Sequence, residues 1–260
     1  MRAELKFTEE LAKKAGLLLK SKFNQKHDIT YKGDINIVTE ADKMSEDLII
    51  AEIIRVFPNH GILSEESPSI AGSADARWII DPLDGTTNYA HAFPVFCVSI
   101  ALEIEDSVAL GVIYDPIRDE LFTATRDNGA FLNGSKIKVS AINNLTRSLL
   151  ATGFPYDIRD SRENNLDYFN AMAIKVQAIR RAGAAALDLA YIAAGRFDGF
   201  WELKLKPWDT AAGSLIVQEA GGSISDMTGN NWNISSPGMI ASNGLIHQQM
   251  LDILKKTRRG

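Results

Sequence analysis

The sequence predicts an α+β protein made of two unlike halves, and three patterns carry that prediction. Helical spacing of apolar residues dominates residues 5–56. Between residues 61 and 140, short apolar runs are punctuated by Gly, Pro, Asn and Asp, as in an antiparallel sheet. Beyond Asn143 the order becomes strand then helix, repeatedly, which implies an α/β half. The expected division is 1–143 and 144–260. No internal repeat or Pro/Ser-rich linker separates the two, so they should be packed together rather than tethered.

Leu5, Leu11, Ala15, Leu18 and Leu19 recur at helical spacing among Lys and Glu, which makes the start an amphipathic helix. A second helix should run over 41–56, with Met44, Leu48, Ala51 and Ile54 inward and Pro58 ending it. Thr39-Glu40-Ala41-Asp42 reads as its capping box, with Asp in place of the usual Glu. Strands follow at 61–64, 77–81, 96–103, 108–114, 120–124 and 136–140. Asn133-Gly134 marks a hairpin, because both residues tolerate the positive φ of a tight primed turn. The second half should contain strands at 149–151, 177–180 and 199–201. Its helices are expected near 164–175 and 184–194, over 209–220 closed by Gly221-Gly222, and after Asn243.

With 260 residues, 45% of them hydrophobic, the chain can bury a sizeable core. A net charge of −5 argues against a general nucleic-acid or anionic-membrane surface. The single cysteine, Cys97, allows neither an intrachain disulfide nor a Cys-rich metal site. It lies in the apolar run 95–102 and reads as a core thiol, in keeping with a reducing cytoplasm. The charged start and the short apolar stretch 16–19 do not make a signal peptide. The tract 182–194 contains Asp188 and falls short of the roughly 20 residues of a membrane span, so a cytoplasmic, untargeted protein with no membrane partner is expected.

The chemistry concentrates in two acidic stretches. In Trp78-Ile79-Ile80-Asp81-Pro82-Leu83-Asp84-Gly85-Thr86-Thr87-Asn88, a buried strand stops in a turn that carries two carboxylates and then two hydroxyls. Far downstream, Pro207-Trp208-Asp209-Thr210-Ala211-Ala212-Gly213 puts another acid at a helix start, and Glu65-Glu66 follows a strand. Convergence of these acids would be strongly repulsive without cations and would raise some of their pKa values, so it would imply metal. With no Cys set and no His-x-x-x-His pair, the donors are all oxygen, which suits Mg²⁺ or Mn²⁺ over zinc. Each acid also has a plain structural reading. Asp81 and Asp84 can shape a turn, Asp209 and Asp42 can cap helices, and Glu65 and Glu66 can be a solvated loop pair. Gly85, opening a short helix, offers backbone N–H groups to an anion.

The runs 81–88 and 208–213, with Glu65-Glu66-Ser67 and Val38-Thr39-Glu40-Ala41-Asp42, closely resemble the inositol monophosphatase family, in order and over nearly the whole chain. The resemblance implies a layered αβαβα sugar-phosphatase fold and hydrolysis of inositol monophosphate to inositol and phosphate. It implies that Glu65, Asp81, the Leu83 carbonyl, Asp84 and Asp209 hold two to three Mg²⁺ ions, with Mn²⁺ as an alternative. Asp81 would bridge two ions, Glu65 would be shared with a weaker third, and Glu66 would assist from behind. By the same resemblance Asp42 and Thr86, with Glu65, form the catalytic set around the attacking water. The Gly85 and Thr86 amides bind phosphate, and Ala185 and Glu202 face the polyol hydroxyls. Lys32 is similar to a family lysine near the third metal, though the match needs a small gap, and Tyr89 stands where the family usually has Phe. Li⁺ inhibition and a homodimer are further implications. Relatives of this fold hydrolyse fructose 1,6-bisphosphate, 3′-phosphoadenosine phosphates, histidinol phosphate or NADP, which remain alternative substrates. Some bacterial members also act as RNA-polymerase-associated antitermination factors, a second reading to which Arg180-Arg181 and the basic run 255–259 lend weak support.

Overall fold

The structure, a computed structural model, describes residues 1–25, 29–31 and 35–258. Lys32 lies outside the described residues. Helices α1 (Arg2–Lys22) and α2 (Glu40–Val56) are separated by the short antiparallel pair β1 (Ile29–Tyr31) and β2 (Ile37–Thr39). A seven-stranded sheet then forms in the order of the chain. Its strands are β3 (Gly61–Ser64), β4 (Ala76–Asp84), β5 (Cys97–Ile104), β6 (Ser107–Asp115), β7 (Glu120–Thr125), β8 (Ala130–Leu132) and β9 (Ser135–Lys136). Only β3 and β4 pair in parallel. Helix α3 (Thr86–Ala90) follows β4.

The second sheet has five strands, β10 (Leu149–Thr152), β11 (Ala178–Arg180), β12 (Gly199–Leu203), β13 (Ser223–Ser225) and β14 (Gly238–Ser242), in the order β11-β10-β12-β14-β13. β10 pairs in parallel with β11 and β12, and β14 is antiparallel to both of its neighbours. Helices α4 (Leu166–Ala173), α5 (Ala185–Ala193), α6 (Pro207–Glu219) and α7 (His247–Arg258) accompany it.

Side chains alternate across a strand, and that alternation builds the layers. Trp78, Ile80, Val98, Ile100 and Leu102 turn to one face of the large sheet and pack on Leu11, Ala15 and Leu19 of α1 and Ile49 and Ile53 of α2. Ile79, Cys97, Ala101, Ile113 and Phe122 turn to the other face, where α5 and α6 cover them. Phe200, Met239 and Ala241 of the small sheet reach the same two helices from the far side. Leu150, Trp201 and Ile240 face outward against Met172 of α4 and Met250, Leu251 and Leu254 of α7. The result is five layers, αβαβα. Residues 210–217 of α6 and 186–193 of α5 are all buried, as expected of largely apolar helices that lie between two sheets. Gly111 permits the close approach of α6, since a Cβ there would stand 2.7 Å from the Ala212 carbonyl oxygen.

Two expectations need correction. The inward face of α2 consists of Ala41, Asp42, Ser45, Glu46, Ile49 and Ile53, whereas Met44 and Ile54 are 39% and 45% exposed, Ala51 is exposed and Leu48 is half-buried. Three polar residues occupy core positions because each has a partner there, so the apolar count alone put the stripe on the wrong side. The strand expected at 136–140 ends at Lys136. Ile137 still donates to the Ala130 carbonyl, but Val139 donates to the Ala220 carbonyl, drawing the chain off the sheet to the end of α6. The Asn133-Gly134 hairpin forms as expected, with φ of 48° and 77° and Leu132 paired with Ser135.

Candidate active site

The site begins with a defect in β4. Asp81 pairs with Ser99 and Asp84 with Cys97, so three steps on β4 match two on β5. Pro82, which has no N–H to give the ladder, sits in this bulge. On a regular strand residues 81 and 84 would face opposite sides. Instead Leu83 swings round to pack with Trp78 and Ile80, and both acids are left on the side of the cavity. Gly85 then takes φ 98°, and a Cβ there would stand 2.8 Å from the Val95 carbonyl oxygen.

Helix α2 braces this turn from below. Asp42 Oδ2 accepts from the Thr39 N–H at 2.8 Å and the Thr39 hydroxyl at 2.6 Å, which is the capping arrangement. Its other oxygen, Oδ1, lies 2.8 Å from the Thr86 hydroxyl, which is also 3.1 Å from the Leu83 carbonyl oxygen. Asp42 therefore caps a helix and holds Thr86 at once. It is buried and stands behind the cavity wall. One turn on, the Ser45 hydroxyl donates to the Pro82 carbonyl at 2.8 Å. Glu46 accepts from the Ser64 hydroxyl, the Ser67 hydroxyl and the Glu66 N–H, and so fixes the loop that carries Glu65. Glu66 itself is half-buried and lies outside the cavity lining.

A cavity of about 730 Å³ opens at the carboxyl ends of β3, β4, β10 and β12, where open α/β sheets generally bind ligands. Its lining joins Glu65, Asp81, Leu83, Asp84, Gly85 and Thr86 of the first half of the chain to residues 153–158, Arg181, Ala185, Asp188, Glu202 and Asp209 of the second. Acids from distant segments thus share one cavity. Among the described residues, however, no three His, Cys, Asp or Glu side chains are gathered tightly enough to form a ready-made ion cage.

Electrostatics tie the acids together. Burial, then the charges of Glu65, Asp84 and Asp209, raise the Asp81 carboxyl well above its ordinary range. Burial brings Asp84 to about 7 despite the Ala186 N–H, which Oδ2 accepts at 2.7 Å, with Glu65 raising it further. That bond makes Asp84 a cap for α5 from across the molecule. Asp209 is also raised to about 7 by burial, although its Oδ2 accepts from the Lys206 N–H at 2.6 Å. Glu202 reaches about 8 through burial and the Asp209 charge, opposed by Arg181. This excess of raised, oxygen-only donors suits a hard divalent cation. Asn88 adds a cross-tie, its Nδ2 donating to the Val95 and Ala182 carbonyls at 2.8 Å each.

Comparison with known proteins agrees with this geometry. The sequence pattern of the inositol monophosphatase family matches residues 1–259. The chain is 42% identical to an inositol-1-monophosphatase of Mesorhizobium japonicum, over 95% of this chain and 94% of that protein. It is also 42% identical to the Nus factor SuhB of Escherichia coli K12, over 96% of this chain and 95% of that one. Among solved structures, the extragenic suppressor protein suhB from Bartonella henselae superposes with TM-score 0.93 at 43% identity, covering 98% of this chain and 99% of that chain. An inositol monophosphatase from Anabaena superposes with TM-score 0.90 at 42% identity, covering 98% and 96%. The class is thus a phosphoric monoester hydrolase on an αβαβα frame. The chain belongs to the inositol monophosphatase family, and it is an inositol-phosphate phosphatase by type.

Residues not singled out beforehand include Glu46, Ser45, Gly153 and Asp188. For the first two a signal existed, since residues 42, 45, 46, 49 and 53 form one helical stripe. Gly153 carries no such signal in the sequence.

Proposed function

We propose that the protein hydrolyses inositol monophosphate with Mg²⁺ as its cofactor, two to three ions being held by Glu65, Asp81, the Leu83 carbonyl, Asp84 and Asp209. The observation that supports this is the sharing of one cavity by these residues and the Gly85-Thr86 turn. Divalent ions bound there would compensate phosphoryl charge and activate water for in-line attack. Mn²⁺ is the natural substitute. The protein's own part is positioning. Asp42 orients the Thr86 hydroxyl toward the attacking water, and Glu46 fixes the segment bearing Glu65. The Gly85 and Thr86 amides receive the phosphate, with Ala185 and Glu202 on the polyol. Li⁺ inhibition and a homodimer complete the reading.

The test is phosphate release from inositol 1-phosphate, fructose 1,6-bisphosphate, 3′-phosphoadenosine phosphate, histidinol phosphate and NADP, with Mg²⁺ and after chelation. Preference for inositol 1-phosphate and loss of turnover in chelator are expected. Turnover that survives chelation, or preference for a nucleotide or bisphosphate, would refute the proposal. A second reading, association with antitermination complexes of RNA polymerase, draws support from relatives named Nus factor SuhB. It predicts co-purification with polymerase from the native host, for Asp84→Asn as well as for the wild type.

A further inference from the structure

The family motifs give no task to two acids of the cavity, and of these Asp157 is paired with Lys204 at 2.6 Å, which leaves Asp188 to be accounted for. It sits in the first turn of α5, one turn beyond Ala184 and Ala185, and lines the cavity with them. It is 1% exposed, and its Oδ1 has no hydrogen-bond partner. A buried polar atom left unpaired costs roughly 1–3 kcal/mol, so its retention at a cavity wall calls for a ligand that completes it.

The surroundings narrow the chemistry of that ligand. Glu202 and Asp84 bring negative charge toward Asp188, and Arg181 partly offsets them. Glu202 rests over Gly153, where any Cβ would overlap its carboxylate, so the glycine reserves the space this side chain occupies. Away from the cations proposed at the other end of the cavity, a phosphate is repelled by the paired carboxylates of Asp188 and Glu202. A neutral hydroxyl is not, and it can donate to a carboxyl oxygen.

We propose that Asp188 is a substrate-contacting specificity residue, whose Oδ1 accepts a hydrogen bond from one hydroxyl of the substrate's polyol, beside the hydroxyl held by Glu202. The inference rests on the polyol-phosphate reading given above. It divides the cavity into a phosphate end at Gly85-Thr86 and a hydroxyl end walled by Asp188 and Glu202.

The experiment compares wild type, Asp188→Ala, Asp188→Leu and Asp188→Asn on inositol 1-phosphate and on phenyl phosphate, which has no hydroxyl to offer, in saturating Mg²⁺. Loss of one hydrogen bond to the polyol should raise KM for inositol 1-phosphate about 10-fold in the Ala and Leu variants. kcat/KM for phenyl phosphate should stay within about twofold, and Asp188→Asn, which keeps an acceptor oxygen, should recover most of the loss. Equal losses on both substrates, no loss on either, or unfolding of both the Ala and Leu variants would overturn the assignment. If the wild type itself shows no preference for inositol 1-phosphate over phenyl phosphate, the polyol reading fails first and takes this inference with it. A wild-type preference that the variants keep sinks Asp188 alone.

Discussion

Removing the charge of Asp84 should stabilise the metal-free protein, and only at higher pH. Its carboxyl is buried and moves from 3.8 to about 7, so between those values the folded state holds a proton that the unfolded chain has released. Stability from this group is therefore full below about pH 4 and is lost as pH rises through 7. At about 1.4 kcal/mol per pH unit, the rise amounts to roughly 4 kcal/mol, a ceiling because Glu65 shares the cost. Asp84→Asn keeps an oxygen for the Ala186 N–H and sheds the charge. In chelator at pH 8 the variant should melt higher, by up to about 10 °C for a chain of this size, with the gap shrinking toward zero near pH 4.5. Thermal unfolding of both proteins from pH 4.5 to 8.5 reads this directly. A gap that does not change with pH, or a wild type that melts higher at pH 8 in chelator, would refute the reasoning.

Glu46→Ala leaves the Ser64 and Ser67 hydroxyls and the Glu66 N–H without their shared acceptor, so about 2–4 kcal/mol of stability should go, measured by denaturant unfolding. The Mg²⁺ concentration for half-maximal activity should rise in the same variant, because Glu65 loses its fixed loop. Gly85→Ala forces a side chain into φ 98° against the Val95 carbonyl. It should lower the unfolding free energy by about 1–3 kcal/mol and phosphatase activity at least 10-fold, read from denaturant melts and phosphate release.

Much of the molecule was legible because local signals and tertiary demands agreed. Asn133-Gly134 dictated its own turn, and the apolar runs 77–81 and 96–103, bounded by turn residues, marked two strands of the large sheet. Asp81 and Asp84 stood out because solvated carboxylates seldom end apolar strands, whereas Glu65 and Asp209 gained a site role only through the family motifs. The α2 face was misjudged because hydrogen-bonding partners, invisible in the sequence, let Asp42, Ser45 and Glu46 take core positions. Asp188 was passed over for a similar reason. In the apolar tract 182–194 it read only as an interruption, and its neighbours Glu202 and Gly153 are distant in the chain. The bulge at Pro82 was likewise hidden, since the proline marks a break without saying which way the next carboxylate will turn.

Helix α6 has no face of its own left for solvent along 210–217, and its first turn carries Asp209. Whatever shifts this rod shifts the cavity floor with it, since the same cylinder is the inner roof for one sheet and the inner floor for the other. A fragment ending before α6 would strip one of the two helices that cover Ile79, Ala101 and Ile113 and lose an acid from the pocket in the same stroke. Catalytic competence and the integrity of the core therefore both depend on the seating of this one helix.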